Sequence, residues 1–182
     1  MQRKIFIGID LPGKVKKRLM QKIEKYQDLP VRWSAEENLH ITLVFLGHVD
    51  DDLLPEVCEN VQRAVGDVDI FDIDFNRIEL GPGPGAEAKM VWVSGEASEE
   101  LKDLQEKIEK ELGVFGREKK AFRPHITLGR IKQFGWSELD EFPEINEEYL
   151  LGIPVENVDI IESTVIDGKR KFMVIESCPM NY

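Results

Sequence analysis

The sequence predicts one mixed domain of helices and strands, built from two similar halves, and three observations support this. The chain has 182 residues, 42% of them hydrophobic, which suits one domain with room for two small lobes. The tetrapeptide His-Ile-Thr-Leu begins at His40 and again at His125. The same offset relates the Lys-Ile-Glu-Lys segments that begin at Lys22 and Lys107. A single bilobal domain, 1–182, with an internal repeat is therefore predicted. Its approximate repeat units are 1–83 and 86–168.

In the first half, the expected order is strand, helix, short strand, motif strand, helix, strand. Lys4–Ile9 is a short apolar run that meets an aspartate at once, which is typical of a strand and not of a signal peptide. Pro12 suits the first position of a helix, and apolar residues recur at helical spacing as far as Tyr26. The other predicted elements of this half are strands at Val31–Trp33, Leu39–Leu46 and Ile70–Leu80 and a helix at Leu53–Val65.

In the second half, a loop over Gly81–Gly85 is expected to separate the repeats, because it alternates glycine with proline. Ser98 is the predicted cap of a helix that runs to Leu112. An acidic, partly helical stretch is expected after the second motif strand, with six acids and no base over residues 137–149. The predicted strands of this half are Lys89–Ser94, Phe122–Leu128, Val155–Ile166 and Lys171–Glu176.

Both tetrapeptides lie in predicted strands, where alternate residues point to the same face. Each copy therefore places an imidazole beside a hydroxyl, His40 with Thr42 and His125 with Thr127. A single histidine on a strand is usually a packing or surface residue. Two identical pairs favour a functional site, because the chain has only three histidines. The third, His48, follows a glycine, has no counterpart in the other half, and is expected at the surface.

Two facing imidazoles are suited to phosphoester chemistry without a metal ion. One neutral ring can take a proton from a nucleophile while one protonated ring donates to a leaving oxygen. An ordinary histidine pKa of about 6.5 allows both forms near neutrality. The threonine hydroxyls can donate hydrogen bonds to the phosphoryl oxygens. No cluster with metal-ligand spacing is present in the sequence, so no metal or cofactor is expected.

Charge and composition restrict the partner. The net charge of −11 argues against a long nucleic-acid duplex. Between residues 117 and 132, however, six basic residues surround the second motif against one acid, which favours a small or terminal anion. These basic residues are Arg117, Lys119, Lys120, Arg123, Arg130 and Lys132.

Other features point to the compartment and exclude a competing site. No stretch is long and apolar enough for a membrane span. Cys58 and Cys178 have no paired spacing, so a reducing compartment, the cytoplasm, is expected. The segment Gly8–Val15 is one residue short of a P-loop, since valine replaces the hydroxyl that would hold Mg²⁺, and this disfavours triphosphate binding.

These motifs resemble the 2H phosphoesterase superfamily. The resemblance rests on the two His-x-Thr-Leu motifs, the Phe-Leu-Gly after the first and the Arg-Pro-His-Ile-Thr-Leu-Gly-Arg around the second. It is nearest to the RNA 2′,3′-cyclic phosphodiesterases, also called 2′-5′ RNA ligases. It implies a two-lobed, duplicated α+β fold with pseudo-twofold symmetry, in which antiparallel sheets flanked by helices surround a central cleft. It also implies metal-independent hydrolysis of RNA 2′,3′-cyclic phosphate ends to 2′-phosphates. The implied substrates are RNA ends, tRNA-derived ends among them, or small cyclic nucleotides, and the implied enzyme is a monomer.

The resemblance also implies roles for five residues. His125 is the base on water and His40 the acid toward O3′, with Thr42 and Thr127 on the phosphate and Arg130 as a further anion contact. The residues alone do not order the two histidine roles. Because Arg130 is five positions from His125, regular alternation would place it on the opposite face unless a bulge at the intervening glycine re-aims it.

Three matters stay open at this point. Phe45 is expected in the core with Ile41 and Leu43, whereas Trp33 is a candidate for stacking on a base. Ligation, the reverse transesterification, is an alternative to hydrolysis. A non-catalytic module that binds nucleotides or RNA ends is the other alternative.

Overall fold

The computed structural model describes residues 1–114 and 122–182, and within them nine strands and four α-helices are present. The strands are β1 (Gln2–Asp10), β2 (Val31–Trp33), β3 (His40–Asp50), β4 (Phe71–Gly81), β5 (Met90–Gly95), β6 (His125–Ile131), β7 (Asn146–Val155), β8 (Asn157–Ile166) and β9 (Lys169–Pro179). The helices are α1 (Gly13–Ile23), α2 (Leu54–Val65), α3 (Glu99–Glu111) and α4 (Gln133–Ser137). All pairs between these strands are antiparallel, which confirms the predicted α+β class.

The strand order is β7-β4-β5-β6-β3-β1-β8-β9, with β2 paired to β6 beside this path. The order is symmetrical about the junction of β6 and β3, since each motif strand is followed outward by the first strand of its own half and then by an antiparallel strand pair. Across that junction the two motif strands share one register pair, Ile41 with Ile126. This symmetry is what an internal repeat would produce, and the repeat of 1–83 in 86–168 stays a prediction.

The hydrophobic core lies between one face of the sheet and helices α1, α2 and α3. In α3, Ser98 caps the first turn by accepting a hydrogen bond from the Leu101 backbone N–H at 3.2 Å. Leu101, Leu104 and Ile108 recur at helical spacing and are fully buried. No helix among the described residues is long and apolar enough to cross a membrane. We call the sheet face that meets the helices the core face.

The stretch after the second motif strand is partly helical at α4, as expected, but it also contains strand β7, which was not predicted. The α4 helix ends at Ser137, and a strand begins at Asn146. The strand alternates acids and other exposed residues with buried Tyr149, Leu151 and Ile153, a period of two that could have been recognised. Because β7 is at the edge of the sheet, its outward charges and its proline do not interrupt a central ladder.

Glu147 of β7 joins the sheet edge to α1. Its carboxylate accepts hydrogen bonds from Lys25 Nζ at 2.6 Å, Lys22 Nζ at 2.9 Å and Tyr26 OH at 3.2 Å. The bond from Lys25 and then that from Lys22 lower the pKa of Glu147 to about 2. Because its pKa is lowered in the folded state, Glu147 stabilises the fold above its ordinary pKa of 4.5, and this contribution is lost as the pH falls toward 2.

We therefore expect Glu147→Gln to lower the free energy of unfolding by about 1–2 kcal/mol at pH 7, since partly exposed lysines are screened by solvent. The difference from the wild type should shrink between pH 4.5 and pH 2, as urea unfolding at each pH will show. Glu148→Gln, at the exposed neighbouring position, is the matched control and should change stability little. Equal effects of the two substitutions at pH 7 would contradict the assignment.

Candidate active site

Four motif side chains meet where β3 and β6 touch. Ile41 and Ile126 are paired and fully buried on the core face. The residues on either side of each isoleucine point to the opposite face, which we call the site face. The antiparallel register sets the first histidine toward the second threonine and the second histidine toward the first threonine. The structure therefore brings together His40, Thr42, His125 and Thr127.

The two imidazoles are held in the same way. Nδ1–H of His40 donates to the Asn38 carbonyl at 2.7 Å, and Nδ1–H of His125 donates to the Arg123 carbonyl at 3.0 Å. A carbonyl oxygen only accepts hydrogen bonds, so the proton is on Nδ1 in the neutral ring. In both rings Nε2 is then the atom that can gain or lose a proton. In His40 this Nε2 lies 2.9 Å from Oγ1 of Thr42.

Aromatic side chains surround both imidazoles. The His40 ring lies 4.7 Å from the Phe6 ring, centroid to centroid, and 4.8 Å from the Phe172 ring, which it meets edge-on. The His125 ring lies 4.6 Å from the Trp92 ring. Burial lowers the pKa of each histidine below 6.5, because imidazolium is poorly solvated there.

The charges near the two rings differ. At His40, the hydrogen bond to Asn38 and the charge of Asp10, directly opposite in the β1–β3 register, partly offset the effect of burial on the pKa, while His125 and Lys16 add to it. Arg130 and Arg123 reinforce burial and further lower the pKa of His125. The charges beside the two rings therefore differ, with an acid beside His40 and two arginines beside His125.

A β-bulge in β6 places Arg130 on the site face. Val91 pairs with Gly129 and Trp92 with Thr127, so Leu128 is the extra residue in β6. Beyond the bulge the alternation is reversed, with Ile131 buried and Arg130 exposed. The glycine is required here, because a Cβ at position 129 would lie 2.5 Å from Cγ1 of Val31.

The same bulge in β3 shows that the core position expected for Phe45 is wrong. Ile7 pairs with Val44 and Gly8 with Thr42, so Leu43 is the extra residue. The Phe45 side chain is 63% exposed and is on the site face, where its ring lies 6.1 Å from that of Phe6. Phe45 and Arg130 occupy equivalent positions of the two motifs. The bulge that was considered as a way to turn Arg130 toward the site face could have been considered for Phe45 too.

The position of Trp33 does not favour the stacking role considered for it. It pairs with Gly129 in the β2–β6 register, and its Cε3 atom lies 2.9 Å from where a Cβ would be at that glycine. The side chain is half-buried and packs against the core. Trp33 therefore covers the bulge from the core face and does not present its ring to a ligand on the site face.

The basic segment around His125 is only partly described. Arg117, Lys119 and Lys120 lie outside the described residues. Arg123 is engaged, since its guanidinium donates to Oε1 of Glu79 and, at 3.1 Å, to Oγ of Ser94. Within residues 1–114 and 122–182, Arg130 makes no hydrogen bond or ion pair, which leaves its guanidinium available to an anion there.

Sequence reasoning missed the group that fixes His40. The Asn38 side chain donates from Nδ2 to the Arg170 carbonyl at 2.9 Å and accepts from the Phe172 backbone N–H at 3.1 Å. It thereby ties the β8–β9 hairpin to the turn before His40, while its own carbonyl holds the imidazole. The Asn-Leu dipeptide before the first motif does not by itself indicate this contact, because the hairpin is more than 130 residues away in sequence.

The remaining site predictions concern His48 and metal ligands. His48 is exposed, opposite Lys4 in the β1–β3 register, as expected for a surface residue. Among the described residues, no three His, Cys, Asp or Glu side chains are grouped so that they could hold a metal ion. The metal-free reaction stays a prediction.

Comparisons with known proteins agree on the family. The family model for the 2′-5′ RNA ligase superfamily matches residues 12–164. The RNA 2′,3′-cyclic phosphodiesterase of Thermotoga maritima is 31% identical over 184 residues, covering 95% of this chain and 93% of that protein. The protein of the same name from Methanocaldococcus jannaschii is 28% identical over 131 residues, covering 71% of this chain and 72% of that protein.

Solved structures share the fold. A crystal structure from Thermus thermophilus matches with a TM-score of 0.81 and 22% identity, covering 97% of each chain. The structure of LigT of E. coli complexed with ATP matches with a TM-score of 0.74 and 19% identity, covering all of both chains. At these identities the likeness establishes the fold and no more.

Proposed function

The chain belongs to the 2′-5′ RNA ligase superfamily, and on that premise we propose that it hydrolyses RNA 2′,3′-cyclic phosphate ends to 2′-phosphates without a metal ion. The observation that carries the proposal is the meeting of two His-Thr pairs across the Ile41–Ile126 junction. The name RNA 2′,3′-cyclic phosphodiesterase, borne by relatives that align along most of the chain, supports hydrolysis as the direction.

Proton transfer is assigned to the two Nε2 atoms. His125 takes a proton from a water molecule while the oxygen of that water forms a bond to phosphorus. His40 donates a proton to O3′ as the P–O3′ bond breaks, which leaves the phosphate on O2′. Arg130 beside His125 and Asp10 beside His40 support this order, because they favour a neutral base and a protonated acid respectively.

Three further side chains stabilise the charged phosphoryl group. Thr42 and Thr127 donate hydroxyl hydrogen bonds from opposite sides of the junction. A hydrogen bond to a charged group is worth about 1.5–3 kcal/mol. Arg130 adds a bidentate contact whose charge does not depend on pH. The Thr127 hydroxyl donates to the weakly accepting sulfur of Met90, 3.7 Å away, so it can turn to a phosphoryl oxygen.

The proposed substrates are RNA ends or small cyclic nucleotides, with tRNA-derived ends among them. Each proposed group comes from one chain, so a monomer is expected to be catalytically complete. Cys58 and Cys178 are free thiols, which suits the cytoplasm as the proposed compartment.

The test incubates purified protein in EDTA with a short RNA that ends in a 2′,3′-cyclic phosphate and identifies the product isomer. We expect undiminished hydrolysis and a 2′-phosphate, because O3′ is the protonated leaving group. Complete loss of activity that a divalent ion restores would contradict the mechanism. Product joined through a 2′-5′ bond to an added 5′-hydroxyl RNA, in place of hydrolysis, would favour ligation.

A further inference from the structure

Two arginines lie side by side at the end of the site face. Arg32 and Arg130 are directly opposite each other in the antiparallel β2–β6 pair. Side chains at such positions point to the same face, with Cβ atoms about 4.5–5.5 Å apart, and like charges there are destabilising. Both side chains are exposed, and within residues 1–114 and 122–182 neither makes a hydrogen bond or ion pair.

The surrounding contacts fix this arrangement. Ser34, just beyond β2, donates from its backbone N–H to the Leu128 carbonyl at 2.8 Å and from Oγ to the Thr127 carbonyl at 3.0 Å. On the core face, Val31 and Trp33 pack over Gly129. The register of β2 is therefore fixed, and Arg32 is the residue of the strand that is turned toward the site face.

The two arginines lie on neighbouring strands, toward the end of β6, whereas His125 begins that strand. Arg130 adds to burial in lowering the pKa of His125. Arg32 is on β2, about 5 Å to the side of Arg130. A chain with a net charge of −11 repels RNA in general, so two neighbouring guanidiniums without an acidic partner among the described residues indicate a local contact with an anion.

We propose that Arg32 binds the phosphodiester next to the cyclic end, on its 5′ side, so that the site prefers an oligoribonucleotide to a mononucleoside cyclic phosphate. This inference rests on the proposed function, because the cyclic end must occupy the two His-Thr pairs and Arg130. A guanidinium binds a phosphodiester with two parallel N–H···O bonds, which suits a position one phosphate away.

The test compares two substrates in the wild type and in Arg32→Gln. One substrate is a tetranucleotide that ends in a 2′,3′-cyclic phosphate, and the other is a mononucleoside 2′,3′-cyclic phosphate. We expect kcat/KM for the tetranucleotide to fall at least ~10-fold, the loss of one charged hydrogen-bonded contact, and kcat/KM for the mononucleotide to change less than about twofold. Equal loss for both substrates, or loss for neither, would overturn the inference.

Salt dependence and a matched variant sharpen this test. The slope of log(kcat/KM) against log[salt] for the tetranucleotide should become shallower by about 0.7 in Arg32→Gln. This is the contribution of one single-strand phosphate contact. Arg63→Gln removes an arginine that pairs with Glu111 between the helices, and it should leave that slope unchanged. Arg32→Lys should recover part of the lost kcat/KM, since it restores the charge and not the bidentate contact. An unchanged slope in Arg32→Gln would contradict the proposed contact.

A binding measurement separates this inference from the proposed function. Fluorescence anisotropy can follow a labelled tetranucleotide with a 2′-phosphate end, in competition with a nucleoside 2′-monophosphate. If the wild type prefers the tetranucleotide and Arg32→Gln loses the preference, the contact stands even when no turnover is seen, and only the proposed hydrolysis fails. If the wild type shows no preference, the inference is wrong whatever the activity.

Discussion

Alanine at His40 or at His125 is expected to lower kcat at least ~100-fold, since general acid or base catalysis each contributes about 10²–10⁴-fold. Both rings present Nε2 at the β3–β6 junction, and each has Nδ1 held by a carbonyl two residues earlier. Neither ring can take over the role of the other, because each is fixed to its own strand. The measurement is single-turnover hydrolysis of an RNA that ends in a cyclic phosphate.

The double variant should lose much less than the product of the two single losses. Both groups act in one transition state, so once one histidine is replaced, replacing the other causes a smaller further loss of rate. His48→Ala is the matched control, because His48 is on the same strand as His40 and is exposed. Near-full activity in either single variant would show that the pair does not act together. Because His40 packs on Phe6 and Phe172, His40→Gln and thermal unfolding should accompany His40→Ala, so that lost folding is not mistaken for lost catalysis.

The periodicity of the sequence was sufficient to find the two His-Thr pairs and to place them on strands. It could also indicate that Arg130 needs a bulge, since the glycine before it is visible. It could not show that the bulged residue is the leucine of each tetrapeptide, because that depends on pairing with β1 and β5. This is why Phe45 was assigned to the wrong face.

Long-range contacts account for what else the sequence did not reveal. Phe172, which meets the His40 ring, and Asp10, which faces it, reach the site through the pairing of β1, β3, β8 and β9. Arg32 gave no signal by itself, and its position depends on the register of a three-residue strand. The β7 strand had a readable alternation, and it was missed because acids and a proline outweighed it.

The pH profile depends on the surroundings of the two imidazoles. Burial lowers the pKa of both histidines in the free protein. The profile of kcat/KM, which reports the free enzyme, should therefore have its maximum below about pH 6.5. A bound phosphate favours imidazolium, so the pKa values rise in the complex and the profile of kcat should be shifted to higher pH. Each limb should fall about tenfold per pH unit, and the two limbs belong to the pair and not to single residues.

The most direct test of paired His–His catalysis is the rate of hydrolysis of a 2′,3′-cyclic phosphate end from about pH 5 to pH 9, a range that spans the ordinary histidine pKa. Paired catalysis predicts a bell in both kcat and kcat/KM, with the bell of kcat at higher pH, and the loss of one limb when His40 or His125 is replaced. A flat rate across this range would contradict acid–base catalysis by the two histidines.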